Sequence, residues 1–241
     1  MNVVITGTDY DTGLGHTLKM IMRRRYADTV IGSRHDVTHD GRDDDPYLDL
    51  TKLADILNYA NFVRAAMPHI DVLVHNAGEA MIAKFEDVKW NDLHRLMQVN
   101  CFGPIALTQQ LLPNLRRGAQ IIFILSDAST KPMRCSLGYN LSKAAADMAV
   151  RQMARELTKP KDLSIYGIRP GRIAGTRLIE HINAEVCRVR DWTPEFAATY
   201  AYSQGVTGLD ANVEDVAQSL AQFIHSPMSR NLSGARMDFT G

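Results

Sequence analysis

Thr6-Gly7-Thr8-Asp9-Tyr10-Asp11-Thr12-Gly13-Leu14-Gly15 follows a short apolar run that starts at Val3, and leads into a helical pattern from about His16 to Tyr26. Strand, glycine-rich turn and helix thus come in immediate succession. Glycines at such a junction let the backbone approach a pyrophosphate, while the first helical turn offers unpaired amides and the positive end of the helix dipole. Gly7, Gly13, Leu14 and Gly15 are therefore candidate phosphate contacts. Asp9 and Asp11 oppose an anion there unless their carboxylates turn away.

Working outward, β-rich runs at Val3 to Thr6, Thr29 to Gly32, Val72 to His75, Gln120 to Leu125, Ser164 to Ile168 and Ala235 to Phe239 alternate with helical periodicity. That alternation predicts an α/β chain, one doubly wound parallel sheet with helices on both faces, spanning residues 1–241 as a single domain. No internal repeat or linker interrupts it. Between Arg34 and Asp49 the chain is rich in turn formers and lacks an apolar stripe, so the crossover helix expected there is reduced to a loop. Its acidic run, Asp43 to Asp45, reads as a solvated loop, and without organised ligand spacing no metal site is expected. The second strand ends at Ser33-Arg34, where a dinucleotide fold meets the adenosine ribose. An acidic side chain there binds a free 2′-hydroxyl and an arginine pairs with a 2′-phosphate, so Arg34 points to NADP(H) over NAD(H), with Asp36 nearby complicating the choice. Asp49, after a short third extended segment, is placed to reach the adenine edge.

The chain has 241 residues, 45% of them hydrophobic, enough for a substantial core. Its 27 basic and 27 acidic residues cancel, which argues against nucleic acid as a partner. Cys101, Cys135 and Cys187 lack metal-type spacing and suit free thiols in a reducing compartment. With the first strand beginning at Asn2 there is no room for a signal peptide, and no apolar run approaches the roughly 20 residues of a membrane span. A soluble, cytoplasmic protein is expected, with no membrane partner.

A second constellation lies in Gly138-Tyr139-Asn140-Leu141-Ser142-Lys143-Ala144. Residues four apart on a helix share a face, so the Lys143 ammonium is expected beside the Tyr139 phenol. There it should favour the ionised form and bring a group of ordinary pKa about 10 toward useful acidity. Ser126 lies thirteen residues upstream of Tyr139, at the end of an apolar strand. The trio has the composition of a proton-transfer site.

The order of these motifs resembles the classical short-chain dehydrogenase/reductase family almost from end to end. After the glycine-rich turn come Asp49-Leu50-Thr51, then Asn76-Ala77-Gly78, similar to the family motif that supports the sheet and the cofactor pocket. Asn100 in Val99-Asn100-Cys101-Phe102-Gly103 resembles the helix asparagine that holds a relay water, and Pro170-Gly171-Arg172-Ile173 the segment that positions nicotinamide. The resemblance implies a Rossmann fold with cofactor contacts from Ser33, Arg34, Asp49, Leu50, Asn76, Ala77, Gly78, Pro170, Gly171 and Ile173. It also implies reversible hydride transfer between a nicotinamide cofactor and a ketone, aldehyde or alcohol. Tyr139 would be general acid and base, Ser126 would bond the substrate oxygen, Lys143 would bind the nicotinamide ribose, and Asn100 would complete the tetrad. Three departures stand out. Gly7 and Gly13 enclose five residues where the family usually has three, the third crossover is reduced, and Thr176 falls one residue later than the usual threonine.

Residues 172–210 correspond to the substrate lid and carry Arg177, His181, Arg188, Arg190, Trp192, Phe196, Tyr200 and Tyr202. This mixture permits a polar or anionic carbonyl substrate; the alternative is an amphipathic lid with its arginines in solvent. Met133 and Arg134 are further candidates to line the pocket, and His181 has no partner at ligand spacing. An epimerase or dehydratase of the extended branch would carry a larger C-terminal lobe, whereas here the last strand ends close to Gly241. A catalytically silent NADP-binding sensor would have no use for the proton-transfer residues. The resemblance further implies a homodimer or homotetramer assembled through helices around residues 88–112 and 137–158 and through the last strand.

Overall fold

Six strands pair in parallel: β1 (Val3–Ile5), β2 (Val30–Ile31), β3 (Ile70–His75), β4 (Leu115–Ile124), β5 (Ser164–Pro170) and β6 (Arg236–Phe239). Their order is β2-β1-β3-β4-β5-β6, with every pair parallel. The computed structural model describes residues 1–26, 29–35, 45–204 and 210–239, with only the backbone of 201–204. Because successive side chains leave a strand on opposite faces, each strand feeds two cores. Val3, Ile5, Val72, Val74, Ile122, Tyr166 and Ile168 pack on one side against α1 (Leu14–Arg25) and α8 (Val213–His225). On the other, Val4, Leu73, Ile121, Phe123 and Ile165 meet α2 (Leu53–Ala66), α4 (Gly103–Leu111) and α5 (Leu137–Lys161). Two-sided burial is what makes the strands read as continuous apolar runs.

Among the described residues there are three more α-helices: α3 (Trp90–Met97) before α4, and α6 (Arg177–Arg190) and α7 (Pro194–Gln204) between β5 and α8. Asn212 caps α8, its Oδ1 accepting the Glu214 amide at 2.8 Å. Among the described residues no helix is long and apolar enough to cross a membrane. β1 pairs with β2 on one side and β3 on the other, so the strand order reverses between β1 and β3. The crevice beyond their carboxyl ends is where an open α/β sheet takes its ligand.

Several boundaries differ from the sequence reading. α1 begins at Leu14 instead of His16, because Gly13 already holds the extended N-cap conformation. β4 begins at Leu115, upstream of the expected Gln120, since Leu115 pairs with Ile70 ahead of a register shift. The third extended segment is a single bridge between Arg34 and Tyr47. Asp36, Asp43 and Asp44 lie outside the described residues, so the predicted loop is described only at its ends.

Asp45 corrects the reading of the acidic run as solvated. It is buried, with Oδ2 2.5 Å from Lys19 Nζ and 2.7 Å from Thr8 Oγ1, and Oδ1 3.0 Å from the Gly32 amide and 3.2 Å from Arg23. Those contacts join α1, the glycine-rich turn and the end of β2. Removing one member of a buried ion pair costs about 3–5 kcal/mol, because the desolvation penalty remains without the attraction. Asp45→Ala should lose stability of that order in urea unfolding; a loss below about 1 kcal/mol would mean that the contacts contribute little.

Candidate active site

The phosphate end is built by close approach of backbone to backbone. Gly7 has φ +70°, and a Cβ on it would sit 2.7 Å from Ala77 Cα. On Gly15 a Cβ would come within 2.3 Å of both Asn76 Nδ2 and the Gly7 carbonyl oxygen. Asn76 donates its side-chain amide to the carbonyls of Thr6 at 3.0 Å and Gly7 at 2.8 Å, while Thr6 Oγ1 accepts the amides of Asn76 and Ala77, each at 3.1 Å. The turn and the Asn76-Ala77-Gly78 segment are thus clasped together.

The five-residue spacer closes on itself through a 2.7 Å bond from the Gly13 amide to the Tyr10 carbonyl. Ser33 takes two more amides of the turn, Gly7 on its Oγ at 2.9 Å and Thr8 on its carbonyl at 3.0 Å. Gly7 and Gly13 therefore shape the turn but have spent their amides. Leu14, Gly15 and His16 begin α1 without a capping side chain, and among the described residues their amides have no acceptor. Asp9 turns away, accepting the His35 amide at 2.6 Å. Arg34 Nε is buried and has no partner among the described residues. An uncapped helix start and a glycine cradle fit the diphosphate of a dinucleotide. Leu14 and Leu50 keep their side chains in the core, leaving only backbone for a ligand. Asp49 Oδ1 accepts both the amide and hydroxyl of Thr51, at 2.9 and 2.7 Å. Burial would raise its pKa, but those bonds and Lys52 outweigh burial and hold it below the usual value.

The catalytic candidates converge beyond the carboxyl end of β4. Ser126 caps a short 3₁₀ turn, its Oγ accepting the Ala128 amide at 3.2 Å, which leaves its proton to donate toward the Tyr139 oxygen. Tyr139 and Lys143 lie on one face of α5, both buried. Lys143 donates to the Ile124 carbonyl at 2.9 Å. The other two of its three donors meet no acceptor among the described residues. Gly78 runs past Lys143 Nζ and Asn100 Oδ1.

The expected electrostatic coupling is corrected here. Burial pushes the Tyr139 phenol above its ordinary pKa, Ser126 opposes the rise and the charge of Asp127 adds to it. Lys143 Nζ is 5.9 Å from the ring centroid and bonded to Ile124, and burial lowers its own pKa to about 8. Desolvation of both groups exceeds the attraction that helix spacing alone suggests.

Asn100 sits in a five-residue π-helical turn, Gln98–Phe102, between α3 and α4. Its Oδ1 accepts the Glu79 amide at 2.9 Å, and its Nδ2 donates to the Glu79 carbonyl at 2.8 Å and Ser142 Oγ at 2.9 Å. Its side chain is thus occupied in fixing the backbone beside Gly78. Pro170, Gly171 and Ile173 follow β5, with Ile173 packed into the core and bridged to Ala211. The Thr176 hydroxyl turns back to the Ile173 carbonyl at 3.0 Å.

Asn140 is a site residue the sequence reading passed over. It donates to the carbonyls of Ala128 and Lys131, both at 2.7 Å, and accepts the Met133 amide at 3.3 Å. These bonds hold the loop carrying Ser126 against the helix carrying Tyr139. Its place next to Tyr139 was the only available signal. The equally unforeseen roles of Thr8 and Asp45 needed the tertiary contacts.

The segment expected as a lid supplies α6, whose residues Leu178 and Ile182 pack with Met133, Ala80 and Ala128 against Tyr139 and leave it 9% exposed. Arg134 and His181 are exposed. Trp192 packs with Phe196 and Tyr200 at centroid distances of 5.0 and 4.6 Å. The side chain of Tyr202 lies outside the described residues. Arg177, the first residue of α6, stacks 4.2 Å from the ring centroid of Tyr10 in the glycine-rich turn.

A family model described as short chain dehydrogenase matches residues 42–186, more than half of the chain. The chain belongs to the short-chain dehydrogenase family. As a family member it is 31% identical over 140 residues to the 7alpha-hydroxysteroid dehydrogenase of Escherichia coli (strain K12), covering 57% of this chain and 54% of that one. The chain spans about half the length of the curated relatives it matches. A solved short chain dehydrogenase family protein from Francisella tularensis subsp. tularensis SCHU S4 has a TM-score of 0.85 at 22% identity, covering 98% of this chain and 96% of the other. A short chain dehydrogenase from Burkholderia cenocepacia J2315, solved in complex with NADP, gives 0.78 at 21%, with coverages of 98% and 95%. At these identities the structural likeness shows the fold.

The lowered Lys143 pKa has a stability signature. Its folded value is about 8 against an ordinary 10.5, so between these values the unfolded chain binds more protons and stability rises with pH. Below about pH 8 the penalty is fully present, about 3 kcal/mol for such a shift. The stability advantage of Lys143→Met over the parent should therefore shrink from pH 7 to 10.5 in urea titrations. A difference that stays constant over that range would contradict the desolvation.

Proposed function

We propose that this chain is an NADP(H)-dependent oxidoreductase that interconverts a ketone or aldehyde and its alcohol, with Tyr139 as proton donor in reduction and acceptor in oxidation. The observation that carries the reading is a buried, neutral phenol between a serine hydroxyl with a proton to donate and a lysine with two unused donors. When bound, a nicotinamide cofactor supplies or receives the hydride. The 7alpha-hydroxysteroid dehydrogenase relative, by its name, acts at a hydroxyl-bearing carbon, and the Burkholderia structure contains NADP; both agree with the reading.

In reduction, Ser126 donates to the carbonyl oxygen and stabilises the negative charge that develops there, an effect typically worth about 3 kcal/mol in a water-poor site. Tyr139 transfers its proton to the same oxygen. Its raised pKa keeps that proton on the phenol until the oxygen becomes basic enough to take it. Lys143, whose pKa is about 8, is predominantly ammonium at pH 7. It would bind the ribose hydroxyls of the cofactor and lower the cost of the transient tyrosinate. Asn100 holds the Glu79 backbone and Ser142 in register, so that a relay water has a fixed approach to Lys143. Leu14 and Gly15 would give amides to the diphosphate, with Gly7 and Gly13 shaping the turn, and Arg34 beside Ser33 would take the 2′-phosphate. Asp49 and Leu50 would hold the adenine side. Asn76, Ala77 and Gly78 would line the crevice, while Pro170, Gly171 and Ile173 would hold the nicotinamide side.

Oxidation of NADPH and NADH over a panel of ketones and aldehydes tests both halves of the proposal. Turnover should favour NADPH and fall at least about a thousandfold in Tyr139→Phe with cofactor affinity retained. Arg34→Ala should weaken NADPH by about tenfold and leave NADH within twofold, as loss of a charge-assisted bond implies. Unchanged turnover in Tyr139→Phe refutes its role. Tight cofactor binding without turnover on any carbonyl favours a sensor.

We also propose that the chain works as a homodimer or homotetramer in a reducing cytoplasm. Leu137, Leu141 and Met148 form an exposed apolar row on α5, Phe102 is exposed on the π turn that packs against that helix, and all three cysteines are free. Light scattering should give a multiple of the 26.9 kDa subunit mass; a single-subunit mass would count against assembly.

A further inference from the structure

The groups facing Tyr139 restrict what the site accepts. Ala80, Ala128, Met133, Leu178 and Ile182 form one apolar cluster around the phenol. Leu178, Ile182, Val186 and Val189 recur along α6 at helical spacing, so that helix turns a continuous apolar stripe toward the body of the protein. Most of the cations that made an anionic substrate conceivable are engaged elsewhere. Arg172 bonds Asp210 and Asn183, both at 2.9 Å. Arg177 lies on Tyr10 at 4.2 Å, and Arg188 pairs with Glu185. Arg190 reaches Ser136 at 3.4 Å and stacks 4.9 Å from the Trp192 ring centroid. Arg134 and His181 are in solvent.

Two charged groups lie near the phenol: the Lys143 ammonium, 5.9 Å from the ring centroid and bonded to the Ile124 carbonyl, and the Asp127 carboxylate, 29% exposed and 3.5 Å from Lys131. A substrate carboxylate brought against Met133, Leu178 and Ile182 would give up water for a hydrocarbon wall that offers it no donor. Hydrocarbon brought to the same place gains from leaving water.

We infer that the substrate is a neutral compound whose reacting carbonyl or hydroxyl carbon is flanked by hydrocarbon, and that Met133, Leu178 and Ile182 set this preference. The inference rests on the oxidoreductase reading above and adds the substrate class to it. Leu178 and Ile182 are specificity residues on α6. Met133 reaches the same cluster from the loop that Asn140 holds, so both walls are set from elements other than the one carrying Tyr139.

The test compares kcat/KM with NADPH for unbranched methyl ketones of increasing length against keto acids of the same carbon number. Each added methylene should raise kcat/KM about fourfold until the pocket is filled, and the neutral ketone should lead its keto acid by at least about tenfold. Leu178→Ser and Ile182→Ser should flatten the chain-length dependence without altering the cofactor dissociation constant, measured by NADPH fluorescence. Asp127→Asn should narrow the gap to the keto acids while preserving the length dependence. A parent enzyme that turns over keto acids as well as the matched ketones, or that ignores chain length, overturns the inference. If that turnover still vanishes in Tyr139→Phe, the oxidoreductase reading survives it. Absence of turnover on both series with NADPH bound removes the reading and the inference together.

Discussion

Everything at the ligand end depends on how closely two backbones approach each other beyond β1 and β3. The Asn76 amide reaches the Thr6 and Gly7 carbonyls only because Gly15 packs against it without a side chain and Gly7 adopts a positive φ beside Ala77. A methyl group at either glycine would displace backbone, which cannot yield as a flexible side chain does. The same contacts set the start of α1, and so decide which amides face outward. Asp45 braces the arrangement from behind by joining Lys19 of α1, Thr8 of the turn and Gly32 after β2 in one buried network.

Around Tyr139 the governing influence is desolvation. Two polar groups sit under apolar cover, and burial shifts both toward their neutral forms: the phenol upward, the lysine downward. That is a resting state with the proton stored on the phenol. The protonation of the pair is thus set by burial more than by its own spacing. Asn140 and Asn100 give this arrangement its precision. One ties the Ser126 loop to α5, and the other ties the Glu79 backbone to Ser142.

The lengthened glycine-rich turn extends the coupling to the far side of the site. Its tip presents Tyr10 to Arg177, the residue immediately before Leu178. The glycine-rich turn and the helix that covers the phenol therefore touch. A cation on an aromatic face contributes about 0.5–1 kcal/mol where exposed, enough to bias the position of α6 without fixing it.

Periodicity made the fold legible in advance. Apolar runs buried on both faces, alternating with amphipathic stretches, leave a parallel sheet with helices on either side as the economical way to cover every face. Tyr139, Lys143 and Ser126 could also be read ahead of the structure, because helix spacing and a strand end place them without knowledge of distant contacts. Interactions between residues far apart in the chain could not. Asp45 looked like part of a solvated acidic run until Lys19, 26 residues away, met it in the interior. Whether the lid arginines lined a pocket or stood in solvent was open until Asp210, Tyr10, Glu185 and Trp192 were seen to meet them. Sequence by itself determined which groups were present and which local face each shared. Tertiary structure alone decided which became desolvated and what each one met, because burial and pairing depend on segments that only the completed fold brings together.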